Sequence, residues 1–273
     1  MILTMKTYES RWRRVLNFLA LLSLAALVVG FAINASAAEP VTFFDDFSGG
    51  KLDTEKWEIA TYHSPDSKPG INQGTYVADT IDFTTGMLRI RVTQKEKNGV
   101  VQSLGGAIIS KNRFGYGTYE FVMRMSTTAD KPDAEGKTLT GAISSGFLYY
   151  HNSESEIDLE FLGDENAMHV TNWLNPAPSH QPEGDVKQTD KINDNALGSG
   201  FRNYKIVWAP GSIKIYIDDK LVASHDEHVP STPAHIILQH RGTNSDEWGG
   251  TAAPGITRYF YVKSVKFTAM QSR

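Results

Sequence analysis

Residues 153–163 read Ser-Glu-Ser-Glu-Ile-Asp-Leu-Glu-Phe-Leu-Gly. Within them Glu156, Asp158 and Glu160 alternate with Ile157, Leu159 and Phe161. A period of two belongs to a β-strand, where residues i, i+2 and i+4 share one face. The stretch therefore predicts a strand with three carboxylates on one side and three apolar groups turned into a core. The same signal recurs along the chain. Met87–Val92 alternates apolar and basic residues, Tyr119–Arg124 does so less strictly, and Ser212–Asp218 is a half-buried strand followed by a hairpin turn at Asp218-Asp219-Lys220. Another strand is predicted over Tyr259–Phe267. No convincing amphipathic helix occurs after residue 40. Short strands at close spacing, separated by glycine-rich turns, predict an all-β jelly-roll sandwich of two antiparallel sheets with one concave face.

Composition narrows the class. The chain has 273 residues and no cysteine, which excludes disulfides and thiolate metal sites. Arg11, Arg13 and Arg14 precede an apolar run from Val15 to Ile33, and Ala35-Ser36-Ala37 follows as a small-residue cleavage site. That order describes an export signal over residues 1–37, with an uncleaved membrane anchor as the alternative. The expected product is a secreted or periplasmic protein with one domain over 38–273, monomeric and free of stable membrane association. Without the leader, 27 basic and 31 acidic residues become 23 and 30, a net charge near −7. Such a surface repels nucleic acid and anionic lipid. Residues 126–140 and 174–200 interrupt the strand rhythm. The first segment reads as solvated decoration, and the second as a long proline-containing loop.

The three acids admit a bland reading, a solvent face that happens to be acidic. They also admit a chemical one. Glu156 and Glu160 stand four residues apart, about 13 Å between Cα atoms at ~3.3 Å per residue. Leaning side chains bring their carboxyl groups to roughly 5–6 Å, near the separation of a retaining glycosidase pair. Asp158 lies between them. Crowded carboxylates split their titration, so one stays ionised while another keeps a proton. A sugar site also needs aromatic faces and polar groups for hydroxyls. If Met168–Trp173 runs antiparallel to the acidic strand, His169, Thr171 and Trp173 share the carboxylate face. Trp248 sits in the acidic, glycine-rich loop Ser-Asp-Glu-Trp-Gly-Gly. Trp173 and Trp248 are therefore read as stacking platforms, Asn72 as a further sugar contact, and Trp57 and Trp208 as core.

With these residues in view, the chain resembles glycoside hydrolase family 16 over nearly all of residues 41–268. Phe114-Gly115-Tyr116-Gly117-Thr118-Tyr119-Glu120 is similar to the family's strand entry, and Glu156–Gly163 to its catalytic signature in the unbulged form. Pro230–Pro233 and Asp246-Glu247-Trp248 follow in the family's order. The resemblance implies a β-jelly roll with a concave substrate cleft. It implies Glu156 as nucleophile, Glu160 as general acid and then base, and Asp158 as assistant to the nucleophile. The unbulged signature is similar to that of lichenases and xyloglucan enzymes, and Thr171-Asn172-Trp173 looks like the xyloglucan type. The chain departs from the lichenase pattern at several points. Gly106–Ser110 replaces a stretch that carries an acid and an arginine. His240 stands where a tryptophan is expected at the cleft floor, and Glu154 where another is expected before the catalytic strand. No cofactor is implied for the chemistry. The family sometimes binds structural calcium near its C-terminal strand, against which Lys263 argues here. The expected partner is a β-linked polysaccharide, a glucan or a glucose-containing exopolysaccharide, cleaved internally by double displacement. Two rival readings are a transglycosylase on the same substrate and a non-catalytic lectin-like binder.

Overall fold

The computed structural model describes residues 41–176, 186–194 and 196–271. The expected leader lies outside them. In chain order the strands are β1 (Val41–Asp45), β2 (Trp57–Ile59), β3 (Asn72–Tyr76), β4 (Ile81–Asp82), β5 (Leu88–Lys97), β6 (Val100–Phe114), β7 (Gly117–Thr127) and β8 (Ala142–Tyr150). They continue as β9 (Ser155–Leu162), β10 (Ala167–Trp173), β11 (Lys187–Asn193), β12 (Arg202–Ala209), β13 (Ser212–Ile217), β14 (Lys220–His225), β15 (Ala234–Gly242) and β16 (Arg258–Ala269). A 3-10 turn at Ala78–Thr80 is the only helical element among the described residues. No helix among them is long and apolar enough to cross a membrane.

The strands form two layers. One has the order β11-β10-β9-β8-β15-β6, with β2 and β3 attached to β6. The other runs β5-β16-β7-β12-β13-β14, with β1 on β16 and β4 on β5. The long β5–β6 hairpin passes from one layer to the other. All pairings are antiparallel except β3 with β6. The hairpin turns follow from local chemistry. Asn98 and Gly99 have φ of 54° and 77°, and Asp218 and Asp219 have 47° and 62°. Paired left-handed residues suit the right-handed twist of a two-residue hairpin, and Asn, Asp and Gly tolerate that region best.

Alternation decides which side chains enter the core. Leu88, Ile90 and Val92 of β5 are fully buried, as are Leu159 and Phe161 of β9 and Ile236 and Leu238 of β15. Each such side chain contributes about 1.5–3 kcal/mol by leaving water. Trp57 donates its indole N–H to Asp45 Oδ2 at 2.8 Å, and Trp208 to the Pro230 carbonyl at 2.9 Å. Both are core residues, as the sequence predicts. The jelly-roll reading and the strands of the sequence analysis hold, with one correction. Residues 174–200 are not simply a loop, because β11 pairs with β10 through seven residues, Lys187 to Asn193. Apart from Ile192 its residues are polar on both faces, so it carries little apolar signal to betray a strand. Segment 126–140 lies outside the cleft, yet it is fastened from beneath. Buried Arg124 donates through Nη1 to the Pro132 and Ala134 carbonyls at 2.7 and 2.9 Å.

Candidate active site

The outward face of β9 carries Glu156, Asp158 and Glu160. Opposite them on β10 stand Trp173, Thr171 and His169 in that order, and the pairing runs from Glu156 to Leu162 without a slip. On the other flank β8 places Tyr149 beside Glu156 and Ser145 beside Glu160. The three acids thus sit at the base of a cleft of about 580 Å³. Its apolar and aromatic walls include Tyr62, Phe147, Tyr149, Trp173, Ile237 and Trp248, and its polar floor includes Gln239 and Arg241.

Each acid has its own surroundings. Glu156 accepts a hydrogen bond from the Ser153 hydroxyl. Ser153 ends a turn in which His151, Asn152 and Ser153 all have positive φ, at 41°, 56° and 60°. Three consecutive non-glycine residues in that region are strained, by of order 1–3 kcal/mol each. The turn is held by Asn175, whose N–H donates to the Ser153 carbonyl at 2.8 Å and whose amide donates to the Asn152 carbonyl at 2.9 Å. Asp158 is buried and accepts from the Trp173 indole N–H at 3.2 Å. Glu160 is paired with Arg241, with Nη1 3.0 Å from Oε1.

These surroundings set the charges. Burial pushes Glu156 up to about 7, helped by the negative charge of Glu160, while the Ser153 and Asp158 hydrogen bonds oppose the rise. Burial, then Glu156 and Glu160, raises Asp158 well above the usual carboxylate range. Burial works against the charged form of Arg241, but Glu160 and Asp66 outweigh it and hold the guanidinium protonated. The free protein therefore keeps a proton on the Glu156–Asp158 side of the cluster, while Glu160 lies against the Arg241 guanidinium. A group of acids split in this way can deliver a proton at one atom while presenting an anion at another.

The structure sorts the other candidates. Trp173 and Trp248 line the cleft, as expected. Thr171 and His169 share the acidic face but do not form the cleft wall. Thr171 accepts from the Thr189 hydroxyl of β11 at 3.1 Å, and His169 pairs with Glu165 at 2.7 Å. The His169 ring also meets Trp248 edge to face, with centroids 4.7 Å apart, so it buttresses that indole. His240 is a correction. It points between the sheets, fully buried, with Nδ1 2.9 Å from the Ile90 carbonyl and Nε2 3.0 Å from Ser126 Oγ. Burial lowers it to about 3, so it is neutral. The cleft side of β15 belongs to Ile237, Gln239 and Arg241, one position out of phase. Asn72 is a second correction. It is buried, and its amide donates to the Asp66 and Gly242 carbonyls at 3.0 and 3.2 Å. Glu154, noted for the tryptophan it replaces, accepts from the Thr232 hydroxyl at 2.8 Å.

Sequence reasoning missed Arg241, Asp66, Ser153, Tyr149 and Gln239. The period of two in β15 was the available signal for Arg241 and Gln239. The others depend on long-range placement. At the C-terminal strand, Lys263 Nζ lies 3.9 Å over the Phe201 ring, and no group of three or more Asp, Glu, His or Cys able to hold a metal occurs among the described residues.

The chain matches the family model for glycosyl hydrolases family 16 over residues 71–253. It is 29% identical over 247 residues to a β-glucanase of Paenibacillus macerans, covering 85% of this chain and 91% of that one. It is 28% identical over 247 residues to a β-glucanase of Bacillus subtilis (strain 168), covering 87% and 91%. The crystal structure of the Bacillus licheniformis β-glucanase superposes with a TM-score of 0.65 at 24% identity, covering 84% of this chain and 98% of that one. The acidic strand, the jelly roll and the ordered motifs converge with these matches: the chain belongs to glycosyl hydrolases family 16 and is a glycoside hydrolase acting on O-glycosyl bonds.

Proposed function

We propose that the protein is a retaining, endo-acting glycoside hydrolase that cleaves a β-linked glucan, or a glucose-containing exopolysaccharide, outside the cytoplasm. The observation that carries this reading is the split acid cluster of β9 at the base of an open, aromatic-walled cleft. The β-glucanase relatives support the substrate class. An open cleft favours attack inside a chain over removal of terminal sugars. The continuous register of β9 on β10 supports the unbulged, lichenase-like form of the signature.

In this reading Glu156 attacks the anomeric carbon and Glu160 protonates the leaving oxygen. A covalent glycosyl-enzyme results, and Glu160 then deprotonates the incoming water. Asp158 hydrogen-bonds Glu156 and steadies it as charge is exchanged. Trp173 and Trp248 stack against sugar rings. The first step needs Glu156 ionised and Glu160 protonated, whereas burial favours a proton on Glu156 in the free protein. A proton therefore moves from the Glu156–Asp158 pair to Glu160 as the reactive complex forms.

One observation favours a second reading with the same chemistry and exchanged roles. Arg241 pairs with Glu160, and burial keeps a proton on Glu156, an arrangement that a nucleophile at 160 and an acid at 156 would use. The azide experiment that closes the Discussion separates the two. A sugar acceptor in place of water would make the enzyme a transglycosylase, and products formed at high acceptor concentration distinguish that case. The test of the main reading is a reducing-end assay on a panel of β-glucans. Release of internal oligosaccharides that Glu156→Ala abolishes is expected. Binding without any release by the wild-type protein would favour a lectin-like role and overturn the proposal.

A further inference from the structure

Arg241 is buried on the cleft side of β15, with 8% of its side chain exposed. Its fork is spanned by two carboxylates. Nη1 lies 3.0 Å from Glu160 Oε1, and Nε donates to Asp66 Oδ2. Asp66 belongs to the connection between β2 and β3, which also supplies Tyr62 and Pro65 to the cleft wall. That connection is not free to drift. Asn72 donates to the Asp66 carbonyl and to the carbonyl of Gly242, the residue after Arg241, and it accepts from the Ser103 hydroxyl at 2.7 Å. A chain of contacts thus runs from β6 through Asn72, Asp66 and Arg241 to Glu160.

We propose that Arg241 is the positioning residue of the acid–base carboxylate: held by Asp66, it fixes Glu160 on the cleft floor and sets the alkaline limit of the reaction. This rests on the reading of the site given above and deepens it. An opposite charge at this range favours the ionised form of a carboxylate. A planar fork with a second carboxylate on its far side also fixes direction, which a flexible ammonium does not. Among the described residues, the remaining charges around the pair are few. On β9 and β10 they are Glu156, Asp158 and His169, the last engaged with Glu165. Lys187 of β11 lies over the Trp173 ring at 4.5 Å. Tyr149 of β8 and Tyr76 of β3 complete the set, and both phenols are raised by burial and so neutral near pH 7. Arg241 lines the cleft and is paired directly to Glu160.

The inference can be tested without a substrate. In free protein carrying glutamate labelled at its carboxyl carbon, the Glu160 resonance, identified by its loss in Glu160→Gln, reports ionisation directly. Arg241→Met is expected to move its titration midpoint up by about one pH unit or more. Asp66→Asn removes a competing anion and is expected to move it down. Arg241→Lys is expected to leave the midpoint near wild type while lowering kcat, because charge is kept and direction is lost. General loosening of the cleft cannot produce opposite signs. On a β-glucan that the wild type cleaves, the alkaline limb of kcat/KM should move in the same directions. If Arg241→Met does not fold, Asp66→Asn and Arg241→Lys carry the test. An unmoved midpoint in the folded Arg241→Met, or an unmoved or raised one in Asp66→Asn, overturns the inference even if the enzyme is an active glucanase. Failure of the wild type to cleave any β-glucan overturns the functional reading and leaves the titration result standing by itself.

Discussion

Glu156 carries a cost that its neighbours do not remove. Its folded value near 7 lies above the ordinary 4.5, so the folded chain holds more protons than the unfolded chain between those values. Stability from this group is full below about pH 4.5 and falls as pH rises through about 7. Glu156→Gln is therefore expected to be neutral for stability near pH 4 and stabilising at pH 8. The gain should be roughly 1–3 kcal/mol, several degrees in Tm, since one pKa unit corresponds to ~1.4 kcal/mol and the acids are interdependent. Thermal melts at the two pH values check this; equal Tm differences at both would contradict it. The two tryptophans should also separate. Trp248→Ala should raise KM with little change in kcat, as loss of a platform does. Trp173→Phe keeps a ring but loses the N–H to Asp158, so it should lower kcat with a smaller change in KM. Steady-state kinetics decide both.

Among the elements, the strained turn before β9 has the clearest consequence. Residues 151–153 in the left-handed region deliver the Ser153 hydroxyl to Glu156. That hydrogen bond favours the ionised form of Glu156. Ser153→Ala is therefore expected to move the acid limb of kcat/KM upward, by a fraction of a unit to about one unit. A limb that stays in place would mean that the turn serves only the fold. β9 and β10 were legible because their period of two sets apolar groups on one face and acids or aromatics on the other. β11 was not, because an edge strand whose residues are polar on both faces, Ile192 apart, has no such contrast. His240 was misplaced for a related reason. The resemblance points to a tryptophan position, whereas the alternation of β15 puts Arg241 and not His240 in the cleft.

At the scale of the molecule, the jelly roll follows from repeated alternation and from turn residues that accept positive φ. Both are local, and so the fold could be read. The Asp66–Arg241–Glu160 chain could not, because its members lie on separate elements and meet only after the sheet has closed. Asn72 failed as a sugar contact on the same ground. The central claim, a covalent double displacement with Glu156 as nucleophile, is tested most directly by the configuration of the azide product from Glu160→Ala. An activated aryl β-glycoside that fits the cleft needs little protonation, so this variant should form the glycosyl-enzyme and stall for lack of a base. Added azide needs no base, and two inversions should yield the β-glycosyl azide, identified by NMR. Glu156→Ala, if rescued, should give the α product. An α-glycosyl azide from Glu160→Ala would contradict the account.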